Sequence, residues 1–410
     1  MAELRTSDER TSDERTSDER TGRRTTDRDR RPAAAFPGGP ARVCLLIGQL
    51  GLGGTEKQLV LLAQGLRARG IDVHVLLMFE GGPREGALRA AGIPVTHLGF
   101  VSAAAGARML PANAAAFARL VRHLRRLRPA VLHAFLFHSY VTAAPAARLA
   151  GVRVLVAGRR SLGDFKRGRH VMLAVERLAT GMTDLLVANA EAVAEDTRRQ
   201  EKVSPDKIIT VYNGLPDSAF APAAPTVIDT TAPVVLCIAN LKPDKGHRYL
   251  IDAVARLRDQ GLPTTLALVG DGPQRRALQE QAARLGADVR FLGTRTDVEP
   301  LLARAQVVAL PSLHEGMSNA VMEAMAAGRP VVATDVGGTG ELLRDRGVLV
   351  PPSDGAALAE GIGRVLRDHG LAERLAARAR AWSLRHLHVD AMVDRHVQIY
   401  RELLERRCAE

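Results

Sequence analysis

Two glutamates stand eight residues apart in HEGMSNAVMEAMAAGRPVVATDVGG, the stretch from His314 to Gly338. The apolar run QVVALPS before it reads as a strand, and AVMEAMAA reads as a helix capped by Ser318 or Asn319 and stopped at Gly328. Glu315 then falls in the loop at the strand's carboxyl end, and Glu323 falls about a turn into the helix. A carboxylate accepts hydrogen bonds from two adjacent hydroxyls at once, while the free amides that open a helix favour phosphate charge. One carboxylate in the loop, a second in the helix and the amides of Gly316, Met317, Ser318 and Asn319 between them suit a ligand bearing both hydroxyls and phosphates. A second candidate phosphate loop is GLGGTE at residues 51–56, where Glu56 occupies the position at which a dinucleotide fingerprint needs its last glycine. Glu80, at the end of the next strand, keeps a dinucleotide-dependent dehydrogenase as a distant alternative.

The elements that must position these residues alternate. ARVCLLIG, QLGLGGTE, KQLVLLAQGLRARG and IDVHVLLMF run strand, glycine loop, helix, strand, and the alternation restarts at PVVLCIAN, LKPDKGH, RYLIDAVARLRDQG and TTLALVGDG. Continuous apolar strands between helices imply parallel sheets covered on both faces, so the fold class is α/β with two doubly wound, Rossmann-like domains. The boundaries expected are a repeat-containing disordered tail at 1–40, an N-terminal domain at 41–215, a linker at 216–232, a C-terminal domain at 233–385 and a final helix at 386–410 that packs back on the N-terminal domain.

A chain of 410 residues has apolar surface enough for two such domains. Runs such as VCLLIG and PVVLCIA are far shorter than the ~20 residues that span a bilayer, and the N-terminus is charged, which reads as a cytoplasmic protein without a signal peptide. Three cysteines cannot build a disulfide framework, and Cys44 and Cys237 sit in strand-like runs as core residues would. The formal charge of +12 is uneven: residues 41–215 hold 24 basic and 12 acidic side chains, whereas residues 216–410 hold 24 of each. Such a half attracts nucleic acid or an anionic membrane face. Only 14 aromatic residues are present, few for base stacking, and no nucleic-acid module is recognisable, so nucleic acid is set aside as a partner.

The stretch EGMSNAVMEAMAAGRPVVATDVGG resembles the signature of the retaining nucleotide-sugar glycosyltransferases of family 4, which have the two-domain GT-B fold. GGTEKQLVLLAQGL, VYNGLPDSAF, ANLKPDKGH, LVGDGP, FLGTRTDV and HVQIYRELL match that family's motifs in order, over all but the tail. The resemblance implies two domains facing across a cleft. It implies that Glu323 holds the nucleotide's ribose and that Glu315, with Gly316, Met317, Ser318 and Asn319, contacts the donor sugar. Lys245, followed by Gly246, matches the family's phosphate clamp, with Asn240 where an arginine is usual and Lys242 nearby. Gly53 and Gly54 correspond to the glycine loop under the donor phosphates. Arg159 and Arg160 stand where many members carry a histidine, and with His133 and His138 they are the acceptor-side candidates.

The same resemblance implies transfer of a sugar with retained anomeric configuration, Lys245 and Glu315 at the reacting centre, a nucleotide diphosphate sugar as co-substrate, and no metal or other cofactor. An alternative is an inactive binding or regulatory protein on the same fold. The acceptor should lie on the N-terminal domain, where AFARLVRHLRRLR sets Arg119, Arg122, Arg125 and Arg126 opposite an apolar stripe and RRSLGDFKRGRH adds charge. That basic face suggests an anionic membrane surface, a lipid-linked or polysaccharide acceptor, and a peripheral place on the inner face of the cytoplasmic membrane.

Overall fold

The computed structural model describes residue 36 and residues 42–102, 106, 109–163 and 168–409. The tail expected at 1–40 lies outside these apart from Phe36, as do residues 164–167 of RRSLGDFKRGRH. Phe36, assigned to the tail by composition, is buried among the side chains of the N-terminal core, because burying an aromatic ring removes a large apolar area from water.

Seven parallel strands form the N-terminal sheet: β1 (Arg42–Ile47), β2 (Asp72–Leu77), β3 (Val95–His97), β4 (Val131–Phe135), β5 (Val154–Arg159), β6 (Leu185–Ala188) and β7 (Ile208–Thr210). Their order is β3-β2-β1-β4-β5-β6-β7. Helices α1 (Gly54–Ala68) and α2 (Glu85–Ala90) cover one face; α3 (Met109–Leu127), α4 (Phe137–Ala150), α5 (His170–Gly181) and α6 (Glu191–Glu201) cover the other. The second sheet has β8 (Val234–Ile238), β9 (Thr265–Val269), β10 (Val289–Gly293), β11 (Val307–Leu310), β12 (Val331–Thr334) and β13 (Val348–Val350), in the order β10-β9-β8-β11-β12-β13. On its faces lie α7 (His247–Asp259), α8 (Arg275–Leu285), α9 (Val298–Arg304), α10 (Asn319–Ala326), α11 (Thr339–Leu343), α12 (Gly355–Arg367) and α13 (His369–His386). The chain is thus two doubly wound Rossmann-like domains, the two-domain architecture that the resemblance implies.

Strand order reverses between β1 and β4 and again between β8 and β11, and in such sheets ligands bind beyond the carboxyl ends of the strands at that reversal. The β8 and β11 exits carry the Lys245 and Glu315 loops. The chain crosses between the sheets twice, and the crossings touch: Leu215 donates to Leu387 O at 2.7 Å and Val389 donates to Leu215 O at 2.9 Å. The last helix, α14 (Val389–Ala409), then returns to the N-terminal sheet and buries Met392, Val393, Tyr400 and Leu404 against Leu59 and Leu66 of α1. Cys44 and Cys237 are core residues, with burial pushing both thiols up to about 12.

Candidate active site in the interdomain cleft

The β8 exit makes a short 3-10 turn, Pro243–Lys245, and then starts α7 through Gly246. Gly246 has φ +66°, and a Cβ there would stand 2.0 Å from Pro311 O, so only glycine lets this turn lie against the β11 exit. Leu313 N donates to Asp244 O at 2.8 Å and joins the two loops. Across that junction Lys245 Nζ lies 2.7 Å from Glu315 Oε1, which also accepts the Ser312 hydroxyl at 2.8 Å. Carboxylate and ammonium are both largely shielded from water, so each holds the other's charge in place until a ligand arrives.

Glu315, Gly316, Met317, Lys245 and Gly54 line one cavity of about 600 Å³, with Arg160 on its N-terminal-domain side. At Gly316 the domains approach closely: a Cβ there would fall 2.2 Å from Arg160 O. Ser318 caps α10, its hydroxyl accepting from Val321 N at 3.3 Å. Asn319, the first residue of α10, is turned across the cleft rather than into the cavity. Its Oδ1 accepts from Asn213 Nδ2 at 3.0 Å and Gln58 Nε2 at 3.3 Å, and its Nδ2 donates to Gly54 O at 3.2 Å. Gln58 is itself fixed by two bonds to the Gly214 backbone, at 2.8 and 2.9 Å.

Glu323 sits on α10, nearly buried, and accepts Lys57 Nζ of α1 at 2.5 Å, an ion pair between the two domains. It does not line the cavity that holds Glu315 and Lys245. Lys57 was not singled out in the sequence, although it stands directly after the glycine loop. Gly53 precedes α1 as its cap residue, beside the cavity-lining Gly54. Asn240 and Lys242 are exposed in the β8 loop and line no part of the cavity; Lys242 makes no ion pair among the described residues. His314, Asn189, Asn213 and Thr55 line the cavity and were also missed; VYNG and VANA end strands, and that position at a strand's carboxyl end is the signal that could have found them.

The four acceptor-side candidates separate. Arg160 donates from Nη1 to Asn213 Oδ1 at 2.9 Å and has no carboxylate partner among the described residues, and burial lowers its guanidinium to about 10. Arg159, next in chain, points to the opposite face of the sheet and is held by Glu201 at 3.0 and 2.8 Å, with the Tyr140 ring 3.8 Å away. It is a structural ion pair and not a cleft residue, a correction that follows from the alternation of strand side chains. His133 is likewise a core residue: fully buried, it meets the Tyr400 hydroxyl of α14 at 2.7 Å and is held well below the usual imidazole range, by burial first and then by His396 and Arg160. His138 is exposed at the start of α4, edge-on to Phe79 and Phe137, and does not line the cavity. Among the described residues no cluster of three His, Cys, Asp or Glu is placed to hold a metal ion.

Two doubly wound domains with a cavity where their strands end form a site of the kind that holds phosphorylated ligands, and the comparisons with known proteins say which family the chain belongs to. The family described as Glycosyl transferases group 1 matches residues 232–368, and the one described as Glycosyltransferase Family 4 matches residues 52–218. The lipopolysaccharide core biosynthesis glycosyltransferase LpsE of Rhizobium meliloti is 29% identical over 352 residues, covering 85% of this chain and 95% of that protein. The 2-deoxystreptamine glucosyltransferase of Streptomyces kanamyceticus is 31% identical, covering 57% of this chain and 67% of the relative. Among solved structures, Anabaena HepE in complex with UDP-glucose superposes with a TM-score of 0.74 at 26% identity, covering 87% of this chain and 98% of that one. The chain belongs to the group 1 glycosyltransferases.

Proposed function

We propose that this glycosyltransferase acts as a retaining enzyme of family 4, moving a sugar from a nucleotide diphosphate sugar to an acceptor hydroxyl on a lipid-linked or polysaccharide precursor of the cell envelope. The observation that carries the reading is the Lys245–Glu315 pair at 2.7 Å in the cavity where both sheets end, beside the amides of Gly316 and Met317 and the Gly54 loop. The solved complex of HepE with UDP-glucose supports the donor class, and the role of LpsE in lipopolysaccharide core biosynthesis supports the acceptor class.

In this reading the anomeric carbon–oxygen bond to the diphosphate breaks while the acceptor oxygen bonds to the same carbon on the same face. The acceptor's proton passes to the departing phosphate oxygen. Lys245 follows the charge that gathers on the diphosphate, Glu315 turns to the sugar hydroxyls, and Glu323 exchanges Lys57 for the ribose hydroxyls. The chemistry asks for no metal or other cofactor, since an ammonium and helix amides stabilise the leaving group.

The test is a panel of nucleotide sugars screened for thermal stabilisation, which a ligand of the native state produces by mass action. Hydrolysis or transfer is then followed by NMR at the anomeric proton. Stabilisation by one nucleotide diphosphate sugar and a product of the donor's own anomeric configuration are expected. Inverted product sinks retention, and indifference to every donor sinks the donor assignment.

A further inference from the structure

Arg159 and Arg160, at the carboxyl end of β5, are buried to nearly the same degree, 4% and 7% exposed, but only one is neutralised. Arg159 gives Nε and Nη2 to the Glu201 carboxylate and a further bond to Thr180. Arg160 forms no ion pair among the described residues; Nη1 donates to Asn213 Oδ1 at 2.9 Å, and Nε and Nη2 donate to nothing among them. The Phe135 ring lies 5.1 Å from its Cζ, and burial lowers the guanidinium to about 10, which leaves it charged at neutral pH. A buried cation without a counter-charge works against folding, and the neutral amide of Asn213, whose Nδ2 is committed to Asn319, compensates it only in part. An arriving anion would supply what the fold withholds.

The cavity wall is polarised in the same sense. Besides Arg160, its Asp, Glu, Lys and Arg side chains among the described residues are Asp244, Lys245 and Glu315, all from the C-terminal domain. Lys245 stands 2.7 Å from Glu315 and 3.9 Å from Asp244, so that wall holds one cation between two carboxylates, while the N-terminal wall holds Arg160. In the donor reading the diphosphate takes Lys245 and the amides that open α10, which leaves Arg160 for a different group. A second anion in the cavity is repelled by the diphosphate, Glu315 and Asp244 and drawn to the Arg160 wall.

We propose that Arg160 determines substrate specificity by receiving a carboxylate or phosphate that one of the two substrates carries in addition to the donor diphosphate. The shared chemistry is an anionic oxygen group, and it has two sources: a transferred sugar that is a uronosyl group, or an acceptor that bears an acidic sugar or a phosphate. A neutral substrate of the same shape leaves the guanidinium buried and uncompensated, so the site discriminates by charge more than by size. The proposal rests on the donor reading above for the identity of the two substrates, but anion binding at Arg160 needs no transfer chemistry and is measured without it.

The experiment pairs ligands that differ in that charge, on the full chain, with dissociation constants read by calorimetry. In the donor arm, the nucleotide diphosphate that stabilises the protein is offered as its glucosyl and its glucuronosyl ester. In the acceptor arm, methyl glucoside, methyl glucuronide and glucose 6-phosphate are titrated onto protein already holding that nucleotide diphosphate. The charged member of one arm should bind about 10- to 100-fold tighter than its neutral partner, and the arm that shows it names the substrate. Arg160→Gln should remove most of the preference and Arg160→Lys restore part of it, while affinity for the bare nucleotide diphosphate stays within about threefold. Equal binding of charged and neutral ligands in both arms of the wild type overturns the proposal, and needs no variant to fold. So does a preference that survives Arg160→Gln, or a loss of affinity for the bare nucleotide diphosphate as large as that for the charged ligand, which would make Arg160 a ligand of the diphosphate. If no nucleotide diphosphate binds, the donor reading falls by itself; methyl glucuronide and glucose 6-phosphate against methyl glucoside on the bare protein then decide whether Arg160 holds an anion.

Discussion

Lys245 and Glu315 illustrate how a residue is prepared for a ligand before the ligand arrives. Each charge costs solvation when the loops close, and the 2.7 Å contact returns part of that cost while fixing both side chains at the cavity wall. In the proposed reading a diphosphate competes for Lys245 with two formal charges against one, so the pair can open on binding without leaving either loop disordered. Lys245→Ala should therefore lower turnover by about 10² or more at saturating donor, with a melting temperature near that of wild type. Lys245→Arg should recover little, because a planar fork does not follow a moving charge as a compact ammonium does. Steady-state kinetics of the two variants decide the point; either one within twofold of wild type removes Lys245 from the leaving-group role. Glu323 is held the same way, by Lys57 from the facing domain, so the proposed donor contact there would also break a contact between domains.

At the scale of elements, α6 begins at Ala190, a residue whose side chain cannot cap a helix. The cap comes from the other domain: Glu341 of α11 accepts Glu191 N at 2.9 Å and Ala192 N at 2.6 Å. The same segment is tied to the Glu315 loop, since Gly338 N donates to Gly316 O at 2.8 Å. A carboxylate on a helix N-terminus gains from the amides and from the helix dipole, so this contact favours the closed arrangement of the domains. Glu341→Ala should cost about 1 to 2 kcal/mol of stability and shift the population toward open domains. Small-angle scattering in the absence of ligand should then show a larger radius of gyration, which saturating donor reduces. An unchanged radius would mean that the Lys57–Glu323 pair and the Asn319 network hold closure without Glu341.

For the whole molecule, several imidazoles are buried and neutral. His247, beneath the Lys245 turn, is lowered to about 4 by burial first and by Lys245 next. His396 on α14 is lowered to about 4 chiefly by burial, and His133 is pushed the same way. A folded-state value below the unfolded one, about 6.5, means that the unfolded chain binds more protons between these limits, so stability falls as pH drops from about 6.5 toward 4. Below that interval both states are protonated at His247 and His396, and their contribution stops changing. Each of the two should contribute up to about 3 kcal/mol to the loss. Melting temperature against pH should fall across this interval, and His396→Gln should flatten the curve while lowering its neutral plateau. A mutant curve parallel to wild type would exclude His396 as a source of the acid sensitivity.

Local signals in the chain sufficed for the alternation of strands and helices, the Gly328 stop of α10, a cap at Ser318 or Asn319, of which the structure selects Ser318, and the place of Glu315 in a loop beyond a strand. Each depends on neighbours within a few residues, where spacing and φ preference carry the energy. The motif order also carried the family, because the cleft loops follow the strands in fixed succession. Tertiary structure alone decided the rest. Arg159 and Arg160 are adjacent and alike, yet one is held by Glu201 in the core and the other borders the cavity, since pleating sends them to opposite faces. Lys57 meets Glu323 across 266 positions of sequence, and His133 meets Tyr400 across 267, partners that no local pattern names. Val171, Val175 and Leu178 of α5 fit either orientation of the helix by periodicity; in the fold they face outward while Glu176 is buried, where the Tyr140 hydroxyl gives its carboxylate a hydrogen bond.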